Sequence, residues 1–378
     1  MIYALLVPLA KHIGSFRAFE SVTLRAACAA VTALLICLIV GPGIIERLGA
    51  LRLRERIASD SKQLDEINAK EKKTKDGTPT MGGMIFVLAT VCGVLLFGRL
   101  DNRMVVICVW TMIAFGVLGG IDDRIKLLGL PDPRHPEDPK RLRRGMDAKP
   151  KLVGQTIIAL AAVTWAWLEM RHVAGWSEVR LPFAGALDVG VGGFLAFAGF
   201  VMVGTNNAVN LTDGLDGLAA GCGTIVTLVL AIVSYCVGRR MLAADLGQLF
   251  VPGADEVAVF LASLGGGVVG FLWWNCKPAK VFMGNTGALA LGGALGIAAV
   301  VVRQEILLVV AGFAFVWEAI SVILQVGSFK LRGVRVFRCA PFHHHLQFLG
   351  WPESKVVMSF WIGTVFLSVV ALGLQRVL

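Results

Sequence analysis

Apolar runs of about 20 residues, enough to cross roughly 30 Å of hydrocarbon as a helix, recur ten times in this chain. They cover residues 22–45, 81–97, 104–121, 152–170, 191–209, 218–237, 257–274, 288–302, 306–326 and 356–377. The chemically loaded segments follow every second run. They are KDGTPTMGG at 75–83, DDRIK at 122–126, NNAVNLTDGLDG at 206–217, NCKPAKVFMGNTG at 275–287 and FRCAPFHHH at 337–345. Alternate loops of a membrane chain share one face, so these segments can assemble one site. A chain 56% hydrophobic and 16% charged is no ordinary soluble domain. The expectation is an all-α polytopic membrane protein, one integral domain with about ten transmembrane helices, both termini periplasmic and the active site on the cytoplasmic face. The 44 glycines suit close helix packing in a bilayer. The short apolar stretch 2–10 lacks a basic flank before it, so it is not expected to be a cleaved signal.

The net charge of +10 is placed unevenly. Arg52, Arg54, Arg56, Lys62, Lys70, Lys72, Lys73 and Lys75 lie in one loop, and Arg134 to Lys151 supply seven more cations in another. Lys330, Arg332, Arg335 and Arg338 lie in a third, whereas the alternate loops carry only pairs such as Arg239/Arg240. The positive-inside rule therefore puts the loops near 46–80, 122–151, 206–217, 275–287 and 327–355 in the cytoplasm. Loop placement accounts for the basicity, so nucleic acid is not an expected partner. The basic loops 51–73 and 130–149 can equally be solvated against anionic lipid. The eight cysteines form no CxxC pair and fall mostly within apolar runs, as small buried residues do.

Adjacent carboxylates at a membrane boundary, Asp122 and Asp123, are costly unless hydrated, paired or metal-bound. Lys126 can serve as helical counter-ion for one of them. A phosphate-handling site uses both, because Mg²⁺ takes oxygen ligands and bridges to substrate phosphates. Asn207, Asn210, Asp213 and Asp216 recur every third residue and would share one face of a helical turn. One of them could cap the next helix, but four exceed that need. Asn275, Lys277, Lys280 and Phe282 precede a Gly-Asn-Thr-Gly turn, where Phe282 is either a core aromatic or a base-stacking one. Lys75 and Thr80 add a phosphate-seeking cation and a hydroxyl. Three successive side chains cannot point the same way, so His343, His344 and His345 do not form a simple metal site. One or two of them on a diphosphate suits the pattern better.

Together, GTPTMGG, DDRIK, NAVNLTDGLDGLA, VFMGNTGALALGGALG and SVILQVGSFKLRGVRVFRCAPFHHH resemble the polyprenyl-phosphate N-acetylhexosamine-1-phosphate transferase superfamily, from about Leu34 to the C-terminus. The last stretch is most similar to its muramoyl-pentapeptide branch. The resemblance implies a ten-span bacterial inner-membrane enzyme of peptidoglycan synthesis that depends on Mg²⁺. It would convert UDP-N-acetylmuramoyl-pentapeptide and undecaprenyl phosphate to lipid I and UMP. By motif position, Asp122 and Asp123 would be catalytic acids, Asp122 deprotonating or positioning the lipid phosphate. His343 is assigned with them and His344 lies beside the diphosphate. Lys75, Thr80, Asn210, Asp213, Asp216, Asn275 and Phe282 would line the nucleotide-sugar pocket. A homodimer is expected by analogy alone.

Two positions depart from that pattern. Asn285 stands where the family has the aspartate expected to bind Mg²⁺, and Gln347 where it often has glutamate. Asn285 keeps a carbonyl oxygen but brings no charge, so metal affinity should fall. This leaves as alternatives a catalytically weakened homologue that binds lipid or nucleotide, or a related transferase using another UDP-sugar. A transporter fits less well, because the polar residues gather at span ends and no internal repeat is present.

Overall fold

The computed structural model describes residue 3 and residues 14–50, 77–128, 145–173, 175–181 and 185–376. Lys75 and most of the two basic loops lie outside them. The helices that follow the short 3₁₀ turn Gly14–Glu20 are α1 (Val22–Ala50), α2 (Gly83–Phe97), α3 (Arg103–Leu127), α4 (Ala148–Met170), α5 (Gly190–Thr212) and α6 (Leu218–Val237). After these come α7 (Arg240–Asp245), α8 (Ala254–Asn275), α9 (Gly284–Val301), α10 (Glu305–Ala311), α11 (Phe313–Arg332), α12 (Phe342–Phe348) and α13 (Glu353–Gly373). Among the described residues the one sheet is the antiparallel hairpin β1 (Glu178–Leu181) and β2 (Gly185–Asp188), between α4 and α5. Nine of the described helices are long and apolar enough to cross a bilayer, and α2 is a shorter apolar helix of 15 residues. The chain is an all-α polytopic membrane protein.

Helix α9 is the axis of the bundle, with every residue from Thr286 to Val301 buried. It packs against α3, α5 and α2. Lipid is as apolar as leucine, so helices in it associate by close packing rather than by hydrophobic driving force. The glycines of α9 supply that closeness. A Cβ on Gly83 of α2 would stand 2.1 Å from the Gly287 Cα, and one on Gly292 would stand 2.7 Å from the Asn206 Cα. Gly293 likewise receives the Phe115 ring. Helix α8 is the second buried strut, against α1, α6 and α2. Gly266 there lies against the Ala30 backbone, and Gly270 against Leu34 and Cys37.

Two sets of connections gather at opposite ends of the bundle. At one end, Arg303 donates to the carbonyls of Gly175, Trp176 and Glu178, and Gln304 donates to Gln248. Asn102, which caps α3 through Met104 N–H, also donates to the Gly253 carbonyl. The other end carries the segments rich in Asn, Asp and His.

Three sequence expectations change. The second run begins as a helix at Gly83 rather than 81, because Pro79 to Gly82 turn, with Met81 at φ +68°, against the fourth segment: the Phe282 amide donates to the Pro79 carbonyl, and the Gly82 amide to the Phe282 carbonyl. The ninth run is not one helix. It breaks at Gly312, and α11 then continues beyond 326 to Arg332. The repeat of Asn207, Asn210, Asp213 and Asp216 does not share one helical face. Helix α5 stops at Thr212, so the two aspartates lie in the turn before α6.

Replacing Gly83 with Val should overpack the α2–α9 contact by about 1–3 kcal/mol or more. It should lower the thermal midpoint in detergent, while Gly43→Val, at a glycine with no atom within 4 Å of its would-be Cβ, should leave it close to wild type.

Candidate active site

The DDRIK acids have different partners. Asp123 is buried and reaches the first turn of α9, accepting from Asn285 N–H (3.0 Å), Thr286 N–H (2.8 Å) and Thr286 Oγ1 (2.7 Å). The first amides of a helix lack intrahelical acceptors and carry its positive dipole end. No side chain at the helix's own N-cap, Met283, bonds them, so a carboxylate from α3 does. Gly284, at φ +69°, makes this possible, because a Cβ there would stand 2.8 Å from Asp123 Oδ2 and 2.9 Å from Thr80 Oγ1. Thr80 is buried at the same point.

Asp122, also buried, accepts from Met146 N–H (2.5 Å) and from Lys151 Nζ (2.7 Å). Its ion-pair partner is Lys151, on the first turn of α4, while Lys126 acts electrostatically on Asp123. The same ammonium lies 3.4 Å from Asn285 Oδ1, which also accepts from Asn210 Nδ2 at 2.6 Å. Asp122 and Asn285 therefore turn oxygens toward one cationic centre. Among the described residues, no three His, Cys, Asp or Glu side chains converge on one metal position.

The third and fourth segments are laced together beside this cluster. Asn275 is buried and accepts from Gly217 N–H (3.1 Å) while donating to the Val281 carbonyl (3.0 Å). Asp216 accepts from Ala279 N–H (3.2 Å). The buried Glu353, which opens α13, accepts from Asp216 N–H (3.0 Å) and pairs with Lys277 (2.7 Å). Asp213 ends α5 and Phe282 is half-buried. Asn207 is drawn away to Gln155, to which it donates at 2.9 Å.

The histidines of α12 take different polar partners, although the His343 and His344 rings lie 4.2 Å apart. His343 is wholly buried: its N–H donates to Glu318 Oε1 (3.0 Å), and Nδ1 lies 3.1 Å from Glu318 Oε2. His344 Nδ1 meets Gln347 Oε1 at 2.8 Å, and His345 Nδ1 accepts from Arg338 N–H at 3.2 Å. Burial pushes the half-buried Cys339 thiol above its ordinary range.

Asp122, Asp123, Asn210 and Asn285 thus lie in one network with Lys151, Thr80 lies against it at Gly284, and Asn275 and Asp216 belong to the neighbouring set of bonds between the third and fourth segments. Sequence reasoning missed Lys151 as a site residue, and also Glu318 and Glu353. Glu318 did carry a signal, being the lone acid inside an apolar run.

This is a polytopic helical bundle with paired carboxylates, amides and an ammonium clustered at one end, and the family model described as glycosyl transferase family 4 matches residues 104–303. That range includes Asp122, Lys151, Asn210 and Asn285 but not Thr80 or the histidines. The phospho-N-acetylmuramoyl-pentapeptide-transferase of Leptospira biflexa serovar Patoc is 40% identical to this chain over 374 residues, 96% of each. The protein of the same name from Koribacter versatilis is 39% identical over 94% of each. The chain belongs to the phospho-N-acetylmuramoyl-pentapeptide-transferase family, within glycosyl transferase family 4.

Asp123→Ala should strand the buried amides of the α9 first turn, at about 1–3 kcal/mol per lost acceptor. The expected result is a lower thermal midpoint than Thr286→Val, which removes one of the three donors.

Proposed function

We propose that the chain transfers phospho-N-acetylmuramoyl-pentapeptide from its UDP conjugate to undecaprenyl phosphate, giving lipid I and UMP in peptidoglycan synthesis. The observation that carries the reading is the cluster in which Lys151 bridges Asp122 and Asn285 at the motif-bearing end of the bundle. In the reaction a lipid phosphate oxygen attacks the phosphorus attached to the sugar. The diphosphate bond breaks and UMP leaves with the bridging oxygen. A phosphate monoester has its second pKa at about 6, so the nucleophile is largely dianionic at neutral pH. The difficulty is bringing two anions together rather than removing a proton. Asp122 already accepts from two donors, which suits holding and orienting a cation better than taking a proton. Lys151, together with Lys75 of the first motif segment, would offset the phosphate charge.

The oxygens of Asp122 and Asn285 suit Mg²⁺ as two of its ligands, with water and substrate phosphate completing a hard-oxygen shell. Bound there, Mg²⁺ would neutralise the phosphates and polarise the reacting one. Asn285 gives this shell one negative charge fewer than an aspartate would. Asn210 orients the Asn285 amide, and Asp123, by fixing the α9 first turn, sets where that amide stands. Thr80, Asp213, Asp216, Asn275 and Phe282 would line the nucleotide-sugar side, with Phe282 available to stack on uracil and His344 beside the diphosphate. The basic loops support a cytoplasmic site in a bacterial inner membrane. A dimer is proposed by analogy with other membrane oligomers.

The test is purified protein with Mg²⁺, undecaprenyl phosphate and labelled UDP-muramoyl-pentapeptide, scored for lipid-linked product. Product is expected, and Asp122→Asn should reduce its rate by about 10²–10⁴-fold. Undiminished turnover in Asp122→Asn would remove this carboxylate from the mechanism. Asn285 favours a second reading, a weakened homologue that binds without efficient turnover. No product at any Mg²⁺ concentration, with turnover gained in Asn285→Asp, would establish that one. On the primary reading, Asn285→Asp should only lower the Mg²⁺ concentration that gives half-maximal rate.

A further inference from the structure

Glu318 is a buried carboxylate within α11, a helix that the bilayer would surround. An acid in that setting is expensive unless its oxygens are occupied. Both of its oxygens go to one residue, His343, whose backbone N–H donates to Oε1 at 3.0 Å while ring Nδ1 lies 3.1 Å from Oε2. A carboxylate only accepts, so Nδ1 carries a ring proton, and in the singly protonated ring Nε2 presents a lone pair.

That second nitrogen is buried and has no hydrogen-bond partner in the protein. It is aimed at the turn between α5 and α6. A Cβ on Gly214 would stand 2.3 Å from Nε2, yet Gly214 is itself exposed. A single residue without a side chain therefore lies between the unpartnered nitrogen and the outside of the Asp213–Asp216 turn. Any larger residue at 214 would bury Nε2 more deeply or displace the ring.

We infer that Glu318 is a positioning residue that locks His343 in the Nδ1–H tautomer, so that Nε2 accepts a hydrogen bond from the sugar nucleotide once the exposed Gly214 turn shifts aside. The ligand group must be a donor, such as a hydroxyl or amide N–H, because a lone pair repels phosphate oxygens. The inference rests on the proposed transferase reading for its substrate, but the tautomer itself does not depend on that reading.

Glu318→Gln is the diagnostic change, because it keeps the shape and inverts the chemistry. Its carbonyl oxygen must serve the His343 N–H, so its amide NH₂ faces Nδ1 and the ring proton moves to Nε2. The chain has six histidines, so the ¹⁵N-histidine spectrum of the purified full-length protein is sparse, and His343→Asn identifies the relevant signals. The wild type should show a protonated Nδ1 and a bare Nε2, and Glu318→Gln the reverse. In turnover, kcat/KM for the sugar nucleotide should fall at least about 100-fold in Glu318→Gln, as expected when a donor replaces a required acceptor. KM for the lipid phosphate should stay within about threefold. A wild-type ring protonated at Nε2 would overturn the inference without any variant. So would an inverted ring that leaves kcat/KM for the sugar nucleotide unchanged. A wild type that forms no lipid-linked product in any condition would sink the transferase reading alone, because the wild-type spectrum still decides the tautomer.

Discussion

The carboxylate of Asp123 on the first turn of α9 is the contact on which the rest of the site depends. Helix α9 is enclosed along nearly its whole length, so its amino end would otherwise leave unpaired amides inside the bundle. Asp123 takes two of those amides and the Thr286 hydroxyl. In doing so it ties α9 to α3 at the residue next to Asp122. The geometry that follows is narrow. Asn285 must stand beside Asp122, and Lys151 can then reach both. Gly284 is required by the same contact, since its positive φ and missing side chain let the Asp123 and Thr80 oxygens close over the turn.

A common electrostatic logic runs through this end of the molecule. Ionisable groups at a membrane boundary persist where they are paired or fully hydrogen-bonded. Asp122 has Lys151, Glu353 has Lys277 and the Asp216 amide, and Glu318 has two contacts to His343. The Asp122 and Glu318 pairs fasten consecutive helices, α3 to α4 and α11 to α12, whereas Glu353 ties the third and fourth motif segments to the start of α13.

Much of this was legible beforehand, and the reason is periodicity. The ten apolar runs follow from bilayer thickness, and alternation of their connecting loops follows from counting. Asp122, Asp123 and Asn210 stood out because their chemistry is out of place next to apolar sequence. Lys126 lies close enough to act electrostatically on Asp123, but the ion pair of Asp122 was not legible, because Lys151, 29 residues away in sequence, approaches from α4. Spacing along one helix cannot report a cation carried by another. The expected common face of Asn207 to Asp216 failed for a related reason. A three-residue repeat describes a face only while the helix continues, and α5 stops at Thr212.

What the sequence alone determined is the number and length of the apolar runs, their alternation with polar segments, and the excess of cations on one set of loops. These are local properties, set by the cost of exposing polar backbone or charge to hydrocarbon. Only the tertiary structure decided which donor each acid receives, that Asp123 caps α9 rather than facing the same way as Asp122, and that each of the three histidines takes a different polar partner. It also decided where the ninth run breaks, at Gly312, letting α11 carry Glu318 to His343. Such pairings depend on the approach of helices whose contact surfaces are glycine and backbone. Close packing of that kind leaves no periodic mark in the chain beyond the abundance of glycine itself.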